Sequence, residues 1–560
     1  MSTVRQIADR YVSQAARLDP VGATTAGITG FDHLMTDLSP DGFAARAELD
    51  LATAAELEQV RADGAETAAR QAMLERLRIA GELYESGETT SELNVIASWP
   101  QYIREVFDLM PADSAEARAD LVARMNEVPA AYAGLRETYR RSAARGLVAP
   151  QRQVAAVASQ CRQWSEPGQG FYTGLARRAG TAGTAGAGGQ DGDGLNGLHA
   201  AAQAAEAATA ELGQFLTAEL LPQAPERDAA GRDRYGLASR HFLGAVIDLD
   251  EAYAWGWSEV IRIEQEMRQV AAQIVPGGSV PDAVAALEAD PGRRIAGREA
   301  LRDWMQGAAD AAVSALDGRH FDIPAPARRI EAMIAPASDG GVYYTPPSED
   351  WARPGRMWWA LPTSVHDFST WKELTTIYHE GVPGHHLQSA QVVFDRDRLN
   401  RWQRLMCWIS GHGEGWALYA ERLMDELGFL SDPGDRLGML DAQLLRAARV
   451  VVDLGVHLEL AIPADSPWRP GETWTAAAAW EFLRSRVQVE EQSLRFELDR
   501  YLGWPGQAPS YKLGERIWLQ ARAEAMQRKG PEFDLREFHS QALALGSMGL
   551  DPLKAALARI

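Results

Sequence analysis

The sequence predicts a mainly α fold, a large helical architecture with one small β-sheet. Three observations support this fold class. Apolar residues recur at three- and four-residue spacing along most of the 560 positions, in segments rich in alanine, leucine, arginine and glutamate. Short β-branched and aromatic segments between glycine and proline turns are confined to one region, residues 329–361. With 46% hydrophobic residues, the chain is able to bury a large core without disulfides.

The individual elements follow from these patterns. Helices are expected over residues 4–16, 41–62, 68–86, 114–145, 249–274, 298–316, 476–501 and 510–528. Strands are expected over residues 329–334, 341–346 and 355–361. Residues 180–197 contain 8 glycines among 18 residues, which is typical of a flexible loop or linker, here inside the N-terminal helical region.

Composition excludes several classes of protein. The net charge of -21 argues against a nucleic-acid surface, because phosphate binding needs clustered lysine and arginine. The first 20 residues have no apolar signal core, and no apolar stretch approaches the length that spans a bilayer, so we expect a cytoplasmic protein with no membrane partner. Cys161 and Cys407 are the only cysteines, which predicts neither a disulfide framework nor a cysteine-rich zinc site. Nothing in the sequence indicates the oligomeric state.

Residues 379–388 read HEGVPGHHLQ, with three histidines and a glutamate within eight residues of a chain that has only 11 histidines. In the short zinc-hydrolase motif, two histidines four residues apart bind the ion, and the glutamate after the first is the general base. Here Pro383 occupies the fourth position. On a continuous helix His385 would point about 240° away from His379, and His386 would lie roughly 10 Å further along. Proline and glycine disfavour that helix, and a bulge would bring one later histidine back beside His379. The alternative is a kinked helix with ordinary histidine hydrogen bonds.

A zinc hydrolase site usually needs three protein ligands and a position for water. The best third candidate is Glu414, in the segment GHGEGWALYAE of residues 411–421. It begins an apolar helical pattern, where the helix N-terminus favours an anion, and the flanking glycines allow close backbone approach. Glu421 shares its face two turns on, and His412 is a weaker ligand candidate. The alternative is that Glu414 only caps the helix.

These residues resemble a known family, the bacterial domain-of-unknown-function family 885, a zincin-like group of presumed metallopeptidases. The resemblance runs through five blocks that span most of the chain and keep their order. They are RYVSQAARLDPVGATTAGITGFDHLMTDLSPDG (10–42), HEGVPGHHLQ (379–388), GEGWALYAERLMDELG (413–428), LLRAARVVVDLGVH (444–457) and PGQAPSYKLG (505–514). The combination HExxPGH with a later EGWALYAE is the specific part.

The resemblance implies a site. The family pattern keeps the first histidine after PG and varies the second, so it favours His385 over His386 as a ligand and implies a zinc ion held by His379, His385 and Glu414. Glu380 would then be the general base. His386 and Gln388 would orient the ligands or touch the substrate. The implied architecture is a helical zincin-like metallopeptidase fold with the small sheet near the active-site cleft.

Residues 444–460 form an apolar helical pattern that carries one polar stripe. Its members, three or four residues apart, are Arg446, Arg449, Asp453 and His457. Buried charges are costly unless paired, so the stripe either pairs within itself or faces a wet cavity. In the second case His457 would hydrogen-bond the substrate or the oxyanion. An arginine would then bind a peptide carboxylate, which would suit a carboxypeptidase or dipeptidase.

Two further features bear on the substrate. Tyr511, at the start of the expected helix 510–528, is a candidate for oxyanion stabilisation, although tyrosines more often anchor packing. Seven of the 17 tryptophans fall between Trp351 and Trp416, a density that suits an aromatic-lined cleft or a core. An exposed strand in GVYYTPP (341–347) or GRMWWALP (355–362) would pair with an extended substrate.

Length alone suggests about four domains, but no internal repeat is present. We expect an N-terminal helical region, residues 1–324, and a catalytic region, residues 325–560, packed as one compact unit around a cleft.

The function expected first is a zinc metallopeptidase that cleaves short peptides by attack of water. A metal-dependent amidase or other non-peptide hydrolase is the second reading, and a non-catalytic binding or scaffold protein is the third.

Overall fold

The computed structural model of the protein describes residues 3–184, 192–335, 341–361 and 364–560. Helix accounts for 67% of the structure and strand for 4%, so the predicted mainly α fold is confirmed. The chain forms two compact units. The first comprises Met1–Ala62, Leu74–Ala230 and Phe496–Trp504, and the second comprises Asp63–Met73, Gly231–Arg495 and Pro505–Ile560. The boundary expected near residue 325 therefore lies inside the second unit.

The helices are numbered in chain order. The first ten are α1 Val4–Leu18, α2 Pro20–Thr25, α3 Pro40–Glu58, α4 Ala65–Ser86, α5 Glu88–Ser91, α6 Trp99–Glu105, α7 Ala115–Ala144, α8 Gln151–Trp164, α9 Phe171–Thr184 and α10 Gly192–Phe215. The next eight are α11 Arg232–Leu243, α12 Leu249–Ile274, α13 Val280–Ala289, α14 Arg298–Leu316, α15 Glu373–Glu380, α16 His385–Phe394, α17 Arg401–Leu405 and α18 Ser410–Glu426. The last six are α19 Pro433–Leu458, α20 Ala476–Arg484, α21 Glu491–Gly503, α22 Ser510–Lys529, α23 Leu535–Leu543 and α24 Leu550–Leu557.

Two predictions of helix and loop bounds were wrong in part. The expected helix over residues 476–501 is two helices, α20 and α21, because the backbone between them bonds to other segments. There the Gln488 N–H donates to the Asp441 carboxylate at 3.1 Å, and the Lys372 ammonium donates to the Gln488 carbonyl at 2.7 Å. The glycine-rich segment 180–197 is helical at both ends, since α9 extends to Thr184 and α10 begins at Gly192. Its middle lies outside the described residues.

The first unit has an all-helical core. Helix α10 packs along α7, α8 and α9, and the buried side chains of these helices form one continuous apolar cluster. The Arg124 side chain of α7 is fully buried and donates hydrogen bonds of 2.8 Å to the carbonyls of Leu34 and Phe31. A buried guanidinium needs such acceptors, and these contacts hold the N-terminal connection against α7.

The second unit contains the three predicted strands and one ribbon that the sequence did not predict. The strands are β1 Arg294–Ala296, β2 Ile330–Ile334, β3 Val342–Thr345, β4 Gly355–Trp359 and β5 Asp367–Ser369. Strands β1 and β5 form the antiparallel ribbon. The other three form a sheet in the order β2-β4-β3, with β2 parallel and β3 antiparallel to β4. Strand β4 is paired on both sides, so the substrate-pairing role considered for GRMWWALP is wrong, whereas β3 lies at an edge.

This sheet positions the helix that carries the first histidines. Met357 and Trp359 of β4 are buried with Ile377 of α15 in one apolar cluster. The Trp359 indole N–H also donates to the Glu373 carboxylate at the start of α15, at 2.8 Å. Around them, α12 packs along α19 and α18 along α22. Within the described residues, no helix combines the length and apolarity that crossing a bilayer requires.

Candidate metal centre

The HEGVPGHH segment is two helices joined by a turn, not one bulged helix. Helix α15 ends at Glu380 and α16 begins at His385. Between them the backbone folds back, and the Gly384 N–H donates to the Tyr378 carbonyl at 3.0 Å. A Cβ at Gly384 would lie 1.9 Å from the His379 carbonyl oxygen, so only glycine fits there. The break expected from proline and glycine is present, and it brings His385 back beside His379.

Three ligand-type side chains meet at this turn. His379, His385 and Glu414 each present one atom to a group in which all the atoms lie within 4.8 Å of one another. The Nε2 atoms of both histidines are 3.4 Å from Oε2 of Glu414. The imidazole rings are perpendicular, with centroids 4.8 Å apart. The structure therefore gathers the three residues that the family resemblance implied as ligands.

The two separations from Oε2 of Glu414 are those expected of atoms that share one metal ion. Two ligand atoms bound about 2.1 Å from one ion at a tetrahedral angle lie about 3.4 Å apart. A direct charge-assisted hydrogen bond would be shorter, about 2.7–2.9 Å. Moreover, Oε2 of Glu414, the oxygen that lies 3.4 Å from both imidazole Nε2 atoms, is buried without a hydrogen-bond partner. Buried polar atoms are normally satisfied, so this donor set, two imidazoles and a carboxylate, is suited to zinc.

Glu421 was expected on the same helix face as Glu414, without an assigned role, and its contacts in the structure supply one. Oε1 of Glu421 accepts a hydrogen bond from Nδ1 of His379 at 2.7 Å, and its other oxygen accepts from the Thr375 hydroxyl at 2.7 Å. A carboxylate at Nδ1 fixes the tautomer of a ligating histidine and turns Nε2 toward the ion. The seven-residue spacing from Glu414, two helical turns, was the available signal.

The charged forms of the histidines and carboxylates in this cluster stabilise one another. Burial alone would lower the pKa of His379, but Glu414 and Glu421 outweigh it and raise that pKa to about 10. Burial likewise opposes ionisation of Glu414, yet His385 and His379 hold its pKa well below the usual value. The pKa of Glu421 is lowered for the same reason, with His379 as its principal partner against burial. Both carboxylates are therefore anionic at neutral pH.

Glu380 is buried beside this cluster and behaves differently. Burial raises its pKa, and the nearby His385 and His379 counter that rise only in part. Arg446 of α19 also lowers the pKa values of Glu380 and Glu421 electrostatically. The Arg446 side chain is half-buried, donates from Nη1 to the Ala442 carbonyl at 3.2 Å, and has a buried Nε without a partner. A carboxylate with a raised pKa next to a metal-type cluster has the properties of a general base.

His386 lies outside the cluster. Its Nε2 donates to the Ala327 carbonyl at 2.7 Å, so its Nδ1 accepts from the Tyr344 hydroxyl at 3.0 Å. Both ring nitrogens are thus engaged, and burial lowers the pKa of His386 to about 4. The structure brings His385, and not His386, together with His379 and Glu414. His386 instead joins α16 to the sheet.

Gln388 and His412 lie one turn or less from the cluster and contact each other. The Gln388 side-chain nitrogen is 3.2 Å from Nδ1 of His412. Burial lowers the pKa of His412 to about 4, so this imidazole is neutral. His412 is not part of the three-residue group. Its helix, α18, packs closely on α22, and a Cβ at Gly415 would lie 2.6 Å from the Gly514 Cα. The close backbone approach expected from the flanking glycines is present there.

The polar stripe of α19 divides into two parts. The Asp453 carboxylate accepts from the Tyr235 hydroxyl at 2.7 Å and the Gly506 N–H at 2.9 Å, and His457 lies 3.9 Å from it. The structure thus places Asp453 and His457 in an internal cluster. His457 is eleven residues beyond Arg446, about 16 Å along the helix axis.

Arg449 lies between these two parts of the stripe and contacts Tyr511 of α22. The Arg449 guanidinium lies over the Tyr511 ring, 4.7 Å from its centroid. The neighbouring Ser510 hydroxyl is 2.7 Å from that of Ser410 at the start of α18, one turn before Glu414. Tyr511 is half-buried at the start of α22.

A known protein family matches nearly the whole chain. Residues 20–557 match the family described as "Bacterial protein of unknown function (DUF885)". The chain belongs to this family. No curated protein matches the chain. The family resemblance stated from the motifs is therefore confirmed, and it extends over nearly the full length.

Two solved structures share the family's fold with this chain. One is described as "The crystal structure of the putative lipoprotein from Colwellia psychrerythraea"; it has a TM-score of 0.85 and 23% sequence identity, and the match covers 100% of this chain and 99% of that one. The other is described as "The structure of a putative lipoprotein of unknown function from Shewanella oneidensis", with a TM-score of 0.73, 16% identity and 99% coverage of both chains. At these identities the likeness establishes the fold alone.

Proposed function

We propose that this protein is a zinc-dependent hydrolase, and specifically a metallopeptidase that cleaves short peptides by attack of water. One observation carries the proposal: His379, His385 and Glu414 present their ligand atoms within 4.8 Å of one another, beside a buried Glu380. A catalytic zinc site has three such protein ligands and leaves a position for water. The zincin-like description of the fold is part of the same proposal.

The residues of the site have distinct roles in the proposed reaction. A zinc ion held by His379, His385 and Glu414 would polarise the scissile carbonyl and lower the pKa of bound water. Glu380 accepts a proton from the attacking water and passes it to the leaving amine, a task for which its raised pKa suits it. Glu421 holds the His379 ring in the ligating tautomer through its 2.7 Å hydrogen bond.

Arg446 and Tyr511 are the candidates for binding charge on the substrate. The Arg446 guanidinium is half-buried, acts electrostatically on Glu380, and keeps its Nε without a partner, so we assign it to the carboxylate of a short peptide. We assign oxyanion stabilisation to Tyr511, whose neighbour Ser510 contacts the start of α18. We do not assign His457 to the oxyanion, because its ring lies with Asp453 and Tyr235.

The edge strand β3 is the candidate for holding the substrate backbone. The Ala360 N–H donates to the Gly341 carbonyl at 2.9 Å, and Tyr343 pairs with Trp358 in the same register. In an antiparallel pair the hydrogen-bonded residues alternate, so the backbone groups of Val342 and Tyr344 point away from β4. The Tyr344 side chain, in turn, reaches His386 beside the site. An extended peptide would add to this edge.

Peptide turnover tests the proposal against the amidase reading. The purified protein, with and without a chelator, is incubated with a library of di- to octapeptides and with a matched set of non-peptide amides, and products are identified by mass spectrometry. We expect chelator-sensitive cleavage of peptides with release from the carboxyl end. Cleavage confined to non-peptide amides would establish the amidase, and no cleavage of either set would favour a binding protein.

Location is a separate proposal. The cytoplasmic location expected from the sequence stays a prediction. Two solved structures of the same fold are described as putative lipoproteins, which makes the membrane fraction the alternative. Fractionation of cells, followed by immunoblotting of the soluble and membrane fractions, distinguishes the two locations.

A further inference from the structure

Trp408 is an exposed aromatic residue at the metal-type cluster. It lies between α17 and α18, its surface is 56% exposed, and its ring centroid is 5.8 Å from that of His385. Tryptophan is usually largely buried. An indole that is open to solvent on one side and touches a ligand-type histidine on the other lies where a substrate bound at the cluster would meet it.

The position of this indole is built into the backbone. A Cβ at Gly413 would lie 2.4 Å from Cη2 of Trp408, so glycine at this position lets the ring lie on the first turn of α18, next to Glu414. The connecting segment is held by two hydrogen bonds of 3.0 Å, from the Cys407 N–H to the Trp402 carbonyl and from the His412 N–H to the Ile409 carbonyl. The backbone on both sides of Trp408 is therefore held in place, and its ring packs on Gly413.

A second, independent feature at the same place has unused hydrogen-bonding capacity. Gln388 and His412 are 7% and 3% exposed, and they hydrogen-bond each other at 3.2 Å. The Gln388 Oε1 and His412 Nε2 atoms are buried without a partner. In the flipped orientation of the Gln388 amide, its oxygen accepts a hydrogen bond from Nδ1 of His412. The pair then leaves the amide N–H as an unused donor and Nε2 of His412 as an unused acceptor. Buried atoms of this kind are costly unless a ligand or water satisfies them.

The two features share their neighbours. Gln388 follows His385 by three residues on α16, so both side chains lie on the same side of that helix. His412 directly precedes Gly413, on which the indole packs. An amide group of a substrate offers one N–H and one carbonyl, which is the complement of the Gln388–His412 pair, and an apolar side chain of the substrate complements the exposed indole face.

We propose that Trp408 and the Gln388–His412 pair form the specificity subsite, which selects peptides with an aromatic or large apolar side chain next to the scissile bond. This rests on the proposed peptidase function and names its substrate class. The indole packs against that side chain, and the pair binds the adjoining peptide group. The competing role is purely protective, with Trp408 shielding His385 from water.

The test compares matched peptides that carry phenylalanine, leucine or alanine at the residue next to the cleaved bond. We expect wild-type kcat/KM to rise from alanine to phenylalanine. Trp408→Ala should lower kcat/KM for the phenylalanine peptide by about three- to tenfold, the range typical of one aromatic pair, and leave the alanine peptide near the wild-type value. Gly413→Ala, which pushes the indole away while retaining it, should shift the preference in the same direction. Phe394→Ala, which removes a 51% exposed aromatic from α16, is the matched control.

Metal content and turnover of the three matched peptides separate the outcomes. If Trp408→Ala reduces turnover of all three peptides equally and also loses metal, the protective role is correct and the subsite is wrong. If the variant keeps both its metal and the wild-type preference, the subsite is wrong while the peptidase proposal stands. If the wild type cleaves no peptide at all, the proposed function fails, and this inference fails with it.

Discussion

The second unit contains two buried clusters of histidine and carboxylate side chains that use their hydrogen-bonding capacity differently. In the Asp453 cluster, which comprises Tyr235, Asp453 and His457, the carboxylate accepts hydrogen bonds from a tyrosine hydroxyl and from the backbone of Gly506. These contacts connect α11, α19 and the segment before α22. Both of these hydrogen bonds end on Oδ2 of Asp453, and together they join three separate segments of the unit, which is typical of a structural network.

The His379 cluster, which comprises His379, His385 and Glu414, leaves capacity unused. Its carboxylate oxygen stands 3.4 Å from two imidazole nitrogens, too far for strong hydrogen bonds and at the spacing of atoms that share an ion. Atoms of His385 and Glu414 are buried without partners. Burial of polar groups therefore does not by itself mark a functional site, whereas ligand-type atoms gathered at the spacing of one shared ion do.

The largest expected effect concerns the general base. Glu380→Gln keeps the size and burial of the side chain but removes its capacity to accept a proton, so we expect peptide turnover to fall by about 100- to 10,000-fold. The variant should retain the wild-type metal content. Glu426→Gln, on the exposed end of α18, is the control and should leave turnover unchanged. Full activity in Glu380→Gln would contradict the mechanism.

The next effect tests the structural role of the other cluster. Asp453→Ala leaves the Tyr235 hydroxyl and the Gly506 N–H buried without their acceptor, and we expect the free energy of unfolding to fall by about 3 kcal/mol. Metal content should not change. The measurement is urea unfolding of the wild type and the variant, together with elemental analysis of each. Loss of metal with unchanged stability would reverse the roles that we assign to the two clusters.

The helices and the ligand-type residues were accessible from the sequence because their signals are local. The spacing of apolar residues gave α12 and α14 their observed bounds, and the motif spacing identified His379 and Glu380. The features that could not be predicted depend on contacts with residues far away in the sequence. The helix expected over 476–501 breaks because Asp441 and Lys372 bind the backbone of Gln488.

The choice between the two later histidines depended on distant partners too. Helix geometry left His385 and His386 as alternatives, and only the positions of Ala327 and Tyr344, more than 40 residues upstream, engage both nitrogens of His386. Glu421 was visible as a residue on the face of Glu414, but its hydrogen bond to His379 depends on how α15 and α18 pack. Periodicity carries no information about such contacts.

A smaller effect is expected from the carboxylate that orients His379. Glu421→Gln weakens the hydrogen bond at Nδ1 without removing a ligand, and loss of such a partner typically costs 10- to 100-fold in metal affinity, roughly. Zinc affinity is measured by competition with a chromogenic chelator, in parallel with the Glu426→Gln control. An unchanged affinity would show that His379 is oriented by packing alone.

The smallest expected effect is a pH dependence of stability. Burial lowers the folded-state pKa of His386 to about 4, below the value near 6.5 in an unfolded chain. Between these pH values the unfolded state binds the additional proton, so stability is lost as pH falls from 6.5 toward 4, by up to about 1.4 kcal/mol per pH unit. His386→Gln should show a shallower loss in urea unfolding at pH 7, 6 and 5 with chelator present. Equal slopes would mean that His386 is not buried in its neutral form.

The most direct test of the central claim is the metal content of three proteins purified without added metal or chelator. We expect about one zinc ion per chain in the wild type and in His386→Ala, and none in His385→Ala. His385→Ala should remain folded by circular dichroism, so that loss of metal is not loss of structure. A wild-type protein that neither contains nor takes up zinc, or a His385→Ala variant that retains it, would contradict the assignment of this cluster as a metal centre.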